Sequence, residues 1–128
     1  MKISDMPTND ELLAEQLKDP DFRKEWERTA LARAVALRLV RYRAERNLSQ
    51  SALAELLDMK QPQVARLERG AVNPELDTLL RLAGALDIEI TIDVRPINRK
   101  ASLVTRRAQN EALASYETAQ AVALVAVA

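Results

Sequence analysis

Apolar residues recur at spacings of three and four along most of the chain, and strict alternation with polar residues is confined to one stretch. Leu31, Val35, Leu39 and Tyr42 fall on one helical face inside residues 22–46, a run with no strong stop that reads as one long helix or as two. Upstream, residues 9–18 form a short amphipathic pattern presenting Leu12, Leu13 and Leu17. Asp19-Pro20 breaks it, because the residue before a proline is steered out of the α region, and a second helix can start at Asp21. Asn47 ends the long run, since Asn tolerates the left-handed conformation that follows a helix. Ser49 then caps a helix over Gln50–Leu57 with Leu53, Ala54 and Leu57 facing inward. Asp58-Met59-Lys60 leads into a helix that opens on Gln61-Pro62, where proline costs no hydrogen bond, carries Val64 and Leu67 inward and stops at Gly70. After the turn at Asn73-Pro74, residues 76–86 offer Leu76, Leu79, Leu80, Ala83 and Leu86 to a core.

The alternating stretch is Ile88-Glu-Ile-Thr-Ile-Asp-Val94, with β-branched residues at every second position, and it predicts a strand that Pro96 ends. A lone strand cannot satisfy its own edges, and no second alternating run appears. The simplest partner for Ile88, Ile90, Ile92 and Val94 is therefore the same strand of another copy, in an antiparallel ribbon across a two-fold axis. Residues 103 to about 124 are Ala-rich, with weak helical spacing through Leu113, Tyr116 and Ala123, and read as a helix. The Ala/Val end, residues 121–128, is compatible with a frayed tail, a helix end or a sticky strand. These patterns divide the chain into an N-terminal arm (1–27), a helical domain (28–87), a dimerising strand (88–95) and an extension (96–128).

The length of 128 residues suits one principal folded unit, and 48% hydrophobic with 30% charged residues is a soluble globular mix. Cys and His are absent, which removes the thiol nucleophile, the usual transition-metal ligands and the commonest general acid or base. The carboxylates Asp19, Asp21, Glu25 and Glu27 then read as a solvated face, and no catalytic residue, metal or cofactor is assigned. No apolar run approaches the roughly 20 residues of a membrane helix, so the expectation is a cytoplasmic protein without a membrane partner. Net charge is zero, but it is unevenly distributed. Residues 1–27 carry four basic and eight acidic side chains, whereas 28–86 carry ten basic and six acidic. An acidic arm ahead of a basic middle suggests an anionic partner for the middle and a cationic one for the arm.

Two short helices joined by a three-residue turn, the second amphipathic and stopped by Gly, can project one helix into a groove about 12 Å wide. The run from Leu48 to Gly70, LSQSALAELLDMKQPQVARLERG, closely resembles the helix-turn-helix of phage Cro and repressor proteins, and the likeness extends over about residues 35–86. It implies a mainly α fold: a four- to five-helix Cro/repressor-like domain with one C-terminal strand that pairs across a homodimer. Leu53, Ala54, Leu57, Val64 and Leu67 match the family's packing positions. Arg43 and Glu68 match an ion pair that links its first helix to the recognition helix. The resemblance further implies that Gln50 bonds a phosphate, that Gln61, Gln63 and Arg66 face base edges and that Arg69 contacts the backbone of operator DNA. Two positions depart from the pattern. Asp58 stands where the family usually has Gly, and Lys60 stands where it usually has a Ser or Thr cap. A cation at a helix N-terminus opposes the dipole by about 0.3 to 1 kcal/mol, so Lys60 is read as a DNA contact that recovers this loss.

The arm, with KDPDFRKEWE ahead of the motif, resembles the front of antitoxins of the HigA kind, which pair with small basic endoribonuclease toxins. This implies an antitoxin that neutralises its toxin and represses its own operon, with Leu13, Leu17, Phe22 and Trp26 as toxin contacts. The alternatives are a stand-alone transcriptional regulator with no toxin and a protein-interaction module that has lost DNA binding.

Overall fold

The computed structural model describes residues 3–110, 112 and 114–128. After a 3-10 turn over Ile3–Asp5 come α1 (Asn9–Gln16), α2 (Pro20–Arg28), α3 (Ala30–Arg46), α4 (Gln50–Leu57), α5 (Gln61–Arg69) and α6 (Leu76–Leu86). Strand β1 (Ile90–Pro96), a short α7 (Arg106–Asn110) and strands β2 (Ala114–Glu117) and β3 (Ala121–Val127) complete the chain. The mainly helical class expected from the spacing of apolar residues holds.

Local chemistry explains the helix ends. Thr8 and Glu11 cap α1 reciprocally, the hydroxyl accepting from Glu11 N–H and the carboxylate from Thr8 N–H. Asp19 caps α2, with Pro20 in the first turn. The run over 22–46 resolves as two helices that part at Thr29, whose hydroxyl turns back to the Glu25 carbonyl oxygen at 3.0 Å. Asn73 locks this junction to the α5–α6 connection. Its carbonyl oxygen accepts from Ala32 N–H and its amide donates to the Arg28 carbonyl, at 3.1 and 3.0 Å. Asn47, Asp58 and Asp87 end their helices with φ of 54°, 51° and 53°, and Gly70 ends α5 at 65°.

One core holds the helices together. Leu39, Leu53, Leu57, Leu82 and Val64 are its largest fully buried side chains, joined by Val35, Tyr42, Ala54, Leu79, Leu86 and Ile88. Helix α6 differs in phase from its expectation. Leu79, Leu82 and Leu86 are buried, whereas Leu76 and Leu80 are 70% and 64% exposed. So leucine-rich a helix offers two stripes, and only one can face the core.

The C-terminal third corrects the sequence reading most. β1 does not lack an intrachain partner: it pairs antiparallel with β3, Ile90 opposite Val127 and Pro96 opposite Ala121, and β2 pairs with the other edge of β3. β1 therefore does not need a second copy to pair with. Ile88 lies before the strand and in the core, Ile90 packs on the core margin, and only Ile92 and Val94 of the four assigned residues are exposed. The helix expected over 103–124 is also replaced, by α7 and the β2–β3 hairpin, whose turn is held by Thr118. Leu113, one residue of that expectation, lies outside the described residues. The central position of β3 pairs one edge along its whole length and the other over Val122–Val125, which reduces the hazard of a sticky Ala/Val segment.

Candidate nucleic-acid interface

Helices α4 and α5 meet through the three-residue turn, whose geometry rests on backbone bonds. Met59 N–H donates to the Ala54 carbonyl at 2.9 Å, and Arg81 of α6 donates to the Asp58 carbonyl at 2.9 Å. The second clamp could not be read from spacing, because it joins helices 23 residues apart. Ser49 accepts from Ala52 N–H to start α4. At α5 only half of a capping box forms: Gln63 accepts from Lys60 N–H at 2.9 Å, while the Lys60 side chain has no acceptor to return.

The two edges of α5 have opposite environments. Inward, Val64 is fully buried and Leu67 half-buried. Outward, Lys60, Gln61, Gln63, Arg66 and Arg69 are all exposed. Gln63 keeps its amide free to donate, since only its oxygen serves the Lys60 N–H. The Gln61 side-chain amide donates to Oε1 of Gln50 at 2.9 Å, and Nε2 of Gln50 in turn donates to Glu68 at 2.7 Å. Gln50 is thus a link in the protein as well as a candidate phosphate contact. Each glutamine occupies the first position of its helix, which is the one sequence signal for this bond.

Glu68 anchors the chain of polar contacts. Arg43 grips it bidentately, Nε to Oε1 at 2.5 Å and Nη2 to Oε2 at 2.9 Å, and also donates to the Leu48 carbonyl at 3.1 Å. Burial pushes the Glu68 carboxyl pKa up, but the hydrogen bonds from Arg43 and Gln50 and the Arg43 charge outweigh it and hold the group below the ordinary carboxylate value. The network Arg43–Glu68–Gln50–Gln61 joins α3, α4 and α5, so the inner edge of α5 is fixed while its outer edge stays in solvent. Arg46, on the neighbouring surface, stacks over the Tyr42 ring at 3.7 Å.

The arm residues lie elsewhere. Leu13, Leu17, Phe22 and Trp26 are half-buried, the Phe22 and Trp26 rings stack with centroids 6.1 Å apart, and Arg33 covers the Trp26 ring at 3.7 Å. Among the described residues there is no group of three or more acidic, Cys or His side chains that could hold a metal ion, and no helix is long and apolar enough to cross a membrane.

Comparison with known proteins agrees with this geometry. The helix-turn-helix family model HTH_3 matches residues 39–92, which hold the whole of α4, α5 and α6. An uncharacterized HTH-type transcriptional regulator of Haemophilus influenzae is 34% identical over 92 residues, covering 71% of this chain and 90% of that protein. Antitoxin HigA1 of Mycobacterium tuberculosis is also 34% identical over 92 residues, but the match spans 62% of its length. The immunity repressor of Bacillus phage phi105 is 40% identical over 57 residues, 44% of this chain and 40% of the repressor. No solved structure matches the chain. The chain belongs to the helix-turn-helix family of XRE-type, DNA-binding transcriptional regulators.

Proposed function

We propose that the protein is a sequence-specific antitoxin: it binds operator DNA through α5, represses its own operon and neutralises a basic endoribonuclease toxin through its acidic arm. The observation that carries the DNA half is the division of α5, whose inner edge is locked by Glu68 while Lys60, Gln61, Gln63, Arg66 and Arg69 stand clear of the core. In this reading Gln61, Gln63 and Arg66 face base edges, where amides suit adenine and a guanidinium suits guanine. Lys60, Arg69 and the side chain of Gln50 meet phosphates, which position the helix without reading sequence. Two copies bind two half-sites.

The toxin half rests on the acidic excess of residues 1–27 and on the likeness to HigA1. The likeness to an immunity repressor favours the second reading, a stand-alone regulator. Co-expression with the product of the adjacent reading frame separates them. The antitoxin reading expects a basic protein of small size to co-purify, and expects removal of residues 1–18 to abolish that binding while DNA binding persists. Helix α1 has no buried residue, so this truncation leaves the core whole. Co-purification that survives it would move the contact to another surface, and the absence of any partner would leave the regulator alone.

A further inference from the structure

An open cleft of about 760 Å³ lies between α2, α3 and the end of α5, with Ser115 of β2 on its lining. Leu17, Trp26, Leu37 and Val40 supply its apolar surface, and Leu37 is 63% exposed although it sits mid-helix. Three guanidinium groups and two carboxylates line it as well. Both carboxylates are already matched, Glu27 by Arg23 at 3.3 Å and Glu68 by Arg43 from outside the cleft. Arg33 donates only to neutral oxygens, the Thr29 hydroxyl at 2.9 Å and the Trp26 carbonyl. Among the described residues, neither Arg33 nor Arg69 has a carboxylate partner. Both line the cleft, and their helices approach closely in backbone: a Cβ on Gly70, the neighbour of Arg69, would stand 3.5 Å from the Arg33 Cα.

The cleft therefore combines an apolar wall with two cations that no carboxylate neutralises, Arg33 being stacked on Trp26, and its volume lies in the range of about 300–1,000 Å³ typical of small-molecule sites. We propose that it binds a small amphipathic organic carboxylate, whose apolar body lies on Leu17, Leu37 and Val40 and whose headgroup sits between Arg33 and Arg69. Burial lowers the Arg33 pKa by desolvation, so an arriving anion restores to this guanidinium some of the stabilisation that water no longer supplies. A consequence rests on the proposed DNA reading: a headgroup on Arg69 removes a cation from the phosphate contacts, so the carboxylate and the duplex weaken each other's binding.

The chain has a single Trp, Trp26, and its emission reports the cleft directly. Titration of the full chain with decanoate is expected to give a saturable change in that emission, with decanol, the uncharged match, at least about tenfold weaker. Leu37→Glu, at an exposed position that leaves the core intact, puts a like charge on the wall and should weaken decanoate by about tenfold or more. No saturable response, equal responses to acid and alcohol, or an unaffected Leu37→Glu variant with native circular dichroism would overturn the site. Duplex affinity measured with and without saturating decanoate tests the coupling separately. A fall supports it, and unchanged affinity beside a saturable Trp26 response removes the coupling while the site stands.

Discussion

Raising salt from 50 to 200 mM should weaken duplex binding by about 10²-fold, although the protein has no net charge. Phosphates respond to the local surface, and Lys60, Arg66 and Arg69 are exposed along α5 with no ion pair among the described residues. Two phosphate-contacting cations, Lys60 and Arg69, in each of two copies release about four counterions, and a slope near −0.9 per phosphate over a fourfold change in salt gives that factor. A titration of affinity against salt measures it. A loss of only a few-fold would mean that the basic edge of α5 does not lie on the phosphate backbone, and would favour a module that meets protein instead.

Arg43→Met should destabilise the fold by about 3 kcal/mol, read from urea unfolding at neutral pH. The Glu68 side chain is only 6% exposed, and without Arg43 it keeps a single polar partner, the Gln50 amide. Removing Arg43 leaves a nearly buried charge that one amide hydrogen bond only partly satisfies. Replacing both, Arg43→Met with Glu68→Leu, should cost much less, because no orphaned charge remains. The effect carries a pH signature. Glu68 titrates below the unfolded carboxylate value in the wild type, so its contribution is complete above about pH 4.3 and is lost as pH falls through the folded value. The gap between wild type and Arg43→Met should accordingly close in acid. A gap that persists unchanged at pH 2 would assign the loss to Arg43 packing rather than to the pair.

The helical part of the fold was legible because its signals are local. Ser49 as a cap, Asn47 and Gly70 as stops, and Pro62 in a first turn each act within one turn of helix, and each marks an element boundary in the structure. The phase of α6 was not legible, since Leu76, Leu79, Leu80, Leu82 and Leu86 fill two stripes and only tertiary packing selects between them. The sheet was missed for a related reason. β3, AVALVAV, pairs on both edges and is half-buried or buried along its length, so it shows a continuous apolar run in place of alternation. Its alanines favour a helix in isolation, and only pairing with β1 and β2 overrides them. Within the candidate interface, the outward-facing residues of α5 could be read through the likeness of residues 48–70 to the Cro and repressor helix-turn-helix. The Gln61–Gln50–Glu68 chain and the Arg81 clamp on the turn could not, because they depend on how three helices close on one another.

The central claim is that the outer edge of α5 reads base pairs, and selection of binding sites from a random duplex library, with wild type and Arg66→Ala in parallel, tests it most directly. The account predicts that the wild type enriches a defined half-site and that Arg66→Ala loses preference at one or two positions of it, each worth about 1–3 kcal/mol, while keeping the rest. Equal weakening on every sequence, with the enriched site unchanged, would contradict it.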